Sequence, residues 1–170
     1  MTEKEQQHIF EDWLNQYKAL LFKVVRTWAF TSADMDDLFQ EIALQVWRSI
    51  PNYRQQSAIS TWLYRVSLNT AMKWTRSEEK HRGEQVSVEN NEHLLNMRTD
   101  NPDERLNWLY EEISRLDEVD RSLSLLLLDG FSYKEMSEIT GISESNVGVK
   151  IHRIKKHLTV QSKNYVVHGI

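Results

Sequence analysis

Residues 132–158 read SYKEMSEITGISESNVGVKIHRIKKHL, and this stretch decides the C-terminal part of the fold. Ser132 has a glutamate three residues later, which is the spacing of a capping box and predicts a short helix over 133–140. Gly141 stands where a left-handed residue ends a helix, and Ser143 caps a new helix almost immediately. Two helices joined by a tight turn that contains glycine form a helix-turn-helix.

The second helix of this motif has an amphipathic pattern. Val147, Ile151, Ile154 and Leu158 follow at spacings of four, three and four, so they share one buried stripe. The opposite face carries short polar residues first and cations later, which suits a helix whose N-terminal end enters the major groove of DNA. Since a solvated polar face has the same pattern, this segment alone favours DNA binding without excluding a purely structural helix.

Three helices are predicted in the N-terminal half. Apolar residues recur at helical spacing over 8–28, and a second helix follows over 33–49 with Ser32 as its N-cap. After a polar loop, a Ser-Thr pair begins a third helix, which runs over 62–80. These helices form the first domain.

The third helix interleaves aromatic residues with cations. Aromatic rings that stack on bases, together with positive charge along the backbone, are what single-stranded DNA binding requires. Trp62 and Trp74 are also suited to a protein core, and the cations to a solvated face, and the helix taken alone favours this structural interpretation.

The predicted fold class is all-α, with two small helical domains joined by a flexible linker. Over 83–101 the apolar residues show only weak periodicity and many side chains are polar. A segment of this length is too long for an ordinary loop in a compact domain. After Pro102 the apolar residues recur again at helical spacing and predict one helix, and Asp117 is placed to cap the helix that follows it. The predicted domains are therefore 1–82 and 102–170, the second of which contains the helix-turn-helix.

The 170-residue chain has a net charge of −4, but its charge is unevenly distributed. Residues 100–120 hold eight acids against two arginines, whereas 143–163 hold five Lys or Arg against one Glu. The basic helix can therefore face phosphates. The sequence has no cysteine, no apolar run of spanning length and no signal-peptide pattern, so we expect a cytoplasmic protein without membrane insertion.

An enzyme is the first alternative. Glu5 and His8, like Glu78 and His81, have the Glu-x-x-His spacing that di-iron helical bundles use. The second pair lies in a charged run and the first lies near the N-terminus, which does not suit ligands that point into a core. The sequence also has no Gly-x-Ser-x-Gly elbow and no P-loop. We therefore expect no catalytic site, no metal and no cofactor.

Two sets of motifs resemble the sigma-70 family. The set that resembles region 2 consists of DLFQE at 37–41, Trp47, and TWLYRVSLN at 61–69. The set that resembles region 4 consists of LDEVDR at 116–121, GFSYKEM at 130–136 and GISESNV at 141–147. The order of these motifs and the short length resemble the extracytoplasmic-function (ECF) group, which keeps only these two domains. The resemblance covers about 10–158.

The resemblance implies a sigma factor that directs core RNA polymerase to specific promoters and assists DNA melting. It implies contacts with the β′ clamp helices and the β flap of bacterial core polymerase, with promoter DNA, and with an anti-sigma factor. Docking on polymerase also resolves the unfavourable net charge, because the larger enzyme supplies most phosphate contacts.

The resemblance also implies roles for individual residues. Polymerase docking falls to Asp37, Gln40, Glu41 and Trp47. Recognition and melting of the minus-ten element fall to the loop 52–60 and to Trp62, Arg65, Asn69, Lys73 and Arg76. Recognition of the minus-thirty-five element falls to Ser143, Ser145, Asn146, Val149, His152, Arg153 and Lys156.

One position departs from the family pattern. Gly148 stands where many relatives have a basic residue, and a glycine inside a helix costs about 1 kcal/mol relative to alanine. The exact base-reading residues are therefore not carried over, and the promoter sequence is not predicted.

A conventional repressor or activator remains the second alternative, although that class leaves the aromatic and cationic third helix unexplained. The third alternative is a protein whose main role is interaction with other proteins.

Overall fold

The structure is a computed structural model that describes residues 1–82 and 103–168, with side chains over 1–80 and 103–165. Over these residues it contains α-helices, one short 3-10 helix and no strand, so the predicted all-α class is confirmed. The first four helices are α1 (Glu3–Gln16), α2 (Lys18–Trp28), α3 (Ser32–Ser49) and α4 (Ile59–Arg82), with the 3-10 helix at Ile50–Asn52. The others are α5 (Glu104–Ser114), α6 (Glu118–Leu128), α7 (Tyr133–Thr140) and α8 (Glu144–His168).

The chain divides into two compact units, Met1–Tyr110 and Glu111–Ile170, and the division falls within α5. The linker predicted over 83–101 lies outside the described residues. The domain limits at 82 and 102 therefore stay a prediction.

The apolar pattern over 8–28 forms two helices instead of one. The chain bends at Tyr17, whose backbone angles are φ −109° and ψ 20°, and α2 begins directly after it. Helix α1 packs on α3 and the 3-10 helix, whereas α2 packs on α3 and α4. A straight helix presents one stripe in one direction, so the bend lets both parts bury their apolar faces. Trp13 is the buried residue of α1, and Leu21, Val24 and Val25 are among those of α2.

The predicted N-caps of α3 and α4 are wrong. Thr31 caps α3, because its Oγ1 accepts a hydrogen bond from the Asp34 N–H at 3.0 Å, and Ser32 is already helical. Helix α4 begins at Ile59, before the Ser-Thr pair, and the Trp62 N–H donates to the Ala58 carbonyl at 3.1 Å. In both cases the helix starts earlier than predicted, by one residue in α3 and by three in α4.

The second unit follows the predicted helix-turn-helix closely. Asp117 and Ser132 cap α6 and α7 as expected, and α7 has the predicted bounds. Gly141 has φ 78°, and its N–H donates to the Ser137 carbonyl at 2.9 Å, which ends α7. Helix α8 begins at Glu144 as expected but continues to His168, beyond the stripe that ends at 158.

Candidate nucleic-acid and polymerase interface

Helix α8 has an inner face that is buried over 147–154 and an exposed outer face, and Leu158 at the end of the predicted stripe is only half-buried. Val147 and Ile151 are 0% exposed, and Ile154 is 3% exposed. They pack together with Met136 and Ile139 of α7, which are also buried. All of the residues predicted to meet the minus-thirty-five element are exposed, namely Ser143, Ser145, Asn146, Val149, His152, Arg153 and Lys156. The second unit therefore presents this predicted set together on one side of a rigid helix.

Gly148 lies beside an aromatic ring. A Cβ built on this glycine is 3.6 Å from Tyr133 Cε2 and 3.7 Å from Tyr133 Cδ2, which are ordinary contact distances. The position is half-buried, whereas the predicted reading residues are exposed. A longer side chain at 148 would thus pass the Tyr133 ring before it reached solvent, whereas a single methyl group fits against the ring without a clash.

Sequence reasoning missed the role of Lys150, which lies on the inner side of α8. Its Nζ is 3.9 Å from Asp120 Oδ1 of α6, and both side chains are partly buried. Burial raises the pKa of Asp120, and repulsion from Asp117 adds to this effect, while Lys150 and Arg153 oppose it. The inward position of Lys150 could have been predicted from its spacing, because position 150 lies three residues after 147 and four before 154, and so on the side of the buried stripe.

The residues predicted to bind the minus-ten element lie along one face of α4. They recur at spacings of three or four, and Asn69, Lys73 and Arg76 are exposed, whereas Trp62 and Arg65 are half-buried. The exposed members thus form a polar and cationic stripe on the C-terminal half of the helix.

Trp62 belongs to an aromatic cluster that we define as Trp13, Tyr53 and Trp62. The ring centroid of Trp62 is 5.4 Å from that of Trp13 and 5.3 Å from that of Tyr53. The Tyr53 hydroxyl also donates to the Ser57 carbonyl at 2.6 Å, within the loop before α4. The cluster therefore anchors this loop to α1, and much of the Trp62 ring is used in packing.

The predicted docking residues on α3 fall into two groups. Asp37, Gln40 and Glu41 are exposed at helical spacing, so they form a polar patch. Trp47 is half-buried and turns towards α1, where its ring meets Phe10 edge to face at 5.4 Å. Its backbone carbonyl accepts a hydrogen bond from the Gln6 side chain at 2.7 Å. Trp47 thus joins α3 to α1, and part of its side chain is used in that packing.

A groove with a volume of about 530 Å³ lies along the junction where α3 packs on α4. Its walls combine residues from both predicted sites, since Asp37 and Glu41 come from α3, and Asn69 and Lys73 from α4. Across this groove the Trp74 Nε1–H donates a hydrogen bond to Asp37 Oδ2 at 2.9 Å. The structure therefore brings two of the four predicted docking residues together with two of the five predicted minus-ten residues, while the others do not line the groove.

The Glu-x-x-His pairs do not form a metal centre among the described residues. Glu5 Oε2 accepts hydrogen bonds from the backbone N–H and the hydroxyl of Thr2, which lower the pKa of Glu5. Glu78 lines the α3–α4 groove, and the side chain of His81 lies outside the described residues. Over the described chain, no group of three or more potential ligands is suitable for holding a metal. In the same residues, no helix combines the length and apolar character that crossing a bilayer requires.

Comparisons with known proteins agree with this architecture. The Sigma-70 region 2 family matches residues 13–81, and the Sigma-70, region 4 family matches residues 106–158. RNA polymerase sigma factor YlaC of Bacillus subtilis is 32% identical over 136 residues, which cover 72% of this chain and 76% of the relative. The ECF RNA polymerase sigma-E factor of Haemophilus influenzae is 28% identical over 139 residues, covering 72% and 71% of the two chains.

Two solved structures share the fold. The sigma factor RpoE of Bartonella quintana, in complex with the anti-sigma factor NepR, has a TM-score of 0.74 and 17% identity, covering 91% of this chain and 96% of that chain. CnrH, in complex with the cytosolic domain of CnrY, has a TM-score of 0.65 and 19% identity, with coverages of 93% and 90%. Together with the two matched regions and their order, these findings show that the chain belongs to the sigma-70 family, as an ECF-type RNA polymerase sigma factor that directs core polymerase to promoters in transcription initiation.

Proposed function

We propose that three surfaces of this cytoplasmic factor divide the work of initiation. Helix α3 docks on the β′ clamp helices of core polymerase, α4 with its preceding loop binds and melts the minus-ten element, and α8 reads the minus-thirty-five element. The second unit also meets the β flap, and the chain between the units follows the polymerase towards the RNA exit path. No catalytic residue is assigned, because in this scheme the polymerase performs the chemistry.

The observation that supports this division most directly is the two-sided character of α8. Val147, Ile151 and Ile154 of its apolar stripe are buried, while every α8 residue predicted to face DNA is exposed. A helix held rigidly from behind places its front side chains with little loss of conformational entropy on binding. Short polar residues near its N-terminus suit base edges, and Arg153 and Lys156 further along suit phosphates or bases.

Run-off transcription with reconstituted core polymerase tests the assignment of function to this chain. Added to core enzyme, the protein should produce discrete transcripts from promoters identified by sequencing of 5′ ends. A conventional repressor would bind duplex operators without converting core polymerase to promoter-specific initiation. Absence of any association with bacterial core polymerase would overturn the proposal.

Glu41→Ala tests the docking surface on α3. We expect the affinity for core polymerase to fall about tenfold, since truncation of a well-placed interface residue commonly costs more than 1 kcal/mol. Glu11→Ala is the matched control, because Glu11 is an exposed glutamate on α1 outside the predicted surface. Equal affinities for both variants would remove Glu41 from the docking surface.

Arg153→Ala tests the recognition face of α8. We expect about a tenfold loss of binding to promoters with an intact minus-thirty-five element, and a much smaller loss on promoters without it. Lys163→Ala is the control, since it removes an exposed cation from the same helix beyond the matched region 4. If the two variants lose the same affinity, the effect of Arg153 is general electrostatic attraction.

We also propose that an anti-sigma partner holds this factor inactive. The support is that the relatives of similar fold were solved with bound partners, one of them an anti-sigma factor. Such a partner, purified with the factor under native conditions, should inhibit run-off transcription, and excess core polymerase should relieve the inhibition. Inhibition that excess core polymerase does not relieve would contradict competition for the docking surface.

A further inference from the structure

The hydrogen bond between Trp74 and Asp37 joins two surfaces to which different tasks are assigned. Asp37 belongs to the exposed polar patch of α3, which is proposed to dock on polymerase. Trp74 follows Lys73 on α4, within the stretch proposed to hold the minus-ten element. The bond length of 2.9 Å is normal for an N–H donor and a carboxylate acceptor. The bond crosses the α3–α4 groove, so it fixes one wall relative to the other.

The chemistry of the pair restricts its geometry. An indole offers a single N–H donor at the edge of a rigid ring, so its direction sets the rotation of the Trp74 side chain. The carboxylate has two acceptor oxygens, and Trp74 uses Oδ2. A hydrogen bond to a charged acceptor is stronger than a neutral one. This bond, at the exposed edge of the two helices, therefore adds to the packing of α3 on α4 a restraint on the rotation of α4 about its axis.

We propose that Asp37 and Trp74 form a positioning pair that couples polymerase docking to promoter melting. This inference rests on the proposed function of α3 and α4. When α3 is held by polymerase, the pair sets the angle at which the stripe of Asn69, Lys73 and Arg76 meets the non-template strand. Asp37 thus holds α4 in position through its hydrogen bond with Trp74, in addition to its place on the docking surface. In this role Trp74 touches neither DNA nor polymerase.

Trp74→Phe is the principal test, because it keeps an aromatic ring and removes the N–H donor. Holoenzyme with this variant should form open complexes about five- to tenfold more slowly, as measured by permanganate reactivity of unpaired thymines. Its affinity for core polymerase, measured by fluorescence anisotropy of labelled core, should stay within twofold of the original. On a template with a preformed bubble over the minus-ten region, initiation should return to the original rate, since melting is then no longer needed.

A double-mutant cycle with Asp37→Ala isolates the pair. Once the carboxylate is absent, Trp74→Phe should have no further effect on the rate of opening. Asp37→Asn provides a second comparison, because its amide oxygen still accepts from the indole. With core polymerase at saturating concentration, so that weaker docking by either Asp37 variant does not limit the rate, we expect Asp37→Ala to slow opening more than Asp37→Asn does, which also keeps the test valid if Trp74→Phe is unstable.

Each outcome has a distinct meaning. Additive effects of Trp74→Phe and Asp37→Ala, or unchanged opening in Trp74→Phe, overturn the coupling. A parallel loss of core affinity and opening in Trp74→Phe assigns Trp74 to docking and also overturns it. Failure of the unaltered protein to bind core polymerase is a different result, because it refutes the proposed function itself.

Discussion

Replacement of Gly148 by alanine is expected to stabilise the second unit. Gly148 lies inside α8, its φ is not in the left-handed region, and the added Cβ meets the Tyr133 ring at 3.6 Å without a clash. Glycine in a helix interior is about 1 kcal/mol less favourable than alanine. Contact with two ring carbons adds about 0.1–0.2 kcal/mol for each pair of atoms. We expect the free energy of unfolding of this unit to rise by about 1 kcal/mol.

Gly141→Ala is the matched variant with the opposite expected sign. A Cβ at Gly141 also meets no obstacle, since nothing lies within 4 Å of it, but the backbone there has φ 78°. An L-residue in this left-handed conformation costs about 1–2 kcal/mol. The same chemical change thus stabilises at one glycine and destabilises at the other, chiefly because the backbone conformation differs.

Urea unfolding followed by far-UV circular dichroism measures both variants, and hydrogen exchange of peptides from α8 locates the change. In thermal unfolding, a difference of 1 kcal/mol corresponds to about 4–8 °C for a domain of 60–100 residues. The reasoning is refuted if Gly148→Ala lowers the midpoint or leaves it unchanged. It is also refuted if both variants shift the midpoint in the same direction.

Two further predictions concern the cores of the units. The pKa of Asp120 is raised by burial and by Asp117, against Lys150 and Arg153. The carboxyl group of Asp120 therefore binds its proton more tightly in the folded protein than in the unfolded chain. The stability that this proton contributes is complete below the ordinary pKa of 3.8 and is lost as pH rises through the raised pKa. Asp120→Asn should raise the urea midpoint at pH 7 and have little effect near pH 3; an equal effect at both would contradict this origin. Trp13→Ala, in which a side chain that is 7% exposed is lost, should cost the first unit about 3–5 kcal/mol in the same assay. A loss below about 1 kcal/mol would show that the aromatic cluster is not tightly packed.

The helix-turn-helix was predictable because its signals are local. Ser132 caps α7 through an N–H three residues away, and Gly141 ends the helix through its own φ. The exposure of the residues opposite Val147 then follows from the helical period alone. Neither inference depends on how distant parts of the chain pack.

The remaining features depend on packing, which the sequence pattern does not encode. The bend at Tyr17 has no glycine or proline to announce it and follows from the different partners of α1 and α2. The bond between Trp74 and Asp37 joins positions 37 residues apart, and it requires a particular rotation of two packed helices. Trp62 suited both a core and a DNA-binding surface until its contacts with Trp13 and Tyr53 were visible.

The aromatic cluster of Trp13, Tyr53 and Trp62 has an optical consequence. Indole emission depends on the polarity and quenching groups around the ring, and here two indoles lie against the tyrosine that anchors the loop before α4. Displacement of that loop by unpaired DNA would separate Tyr53 from both indoles and admit water to them. Since the chain has six tryptophans, a variant that keeps only Trp13 and Trp62 would make the cluster a fluorescent reporter, with which loop movement could be followed in real time without an attached dye.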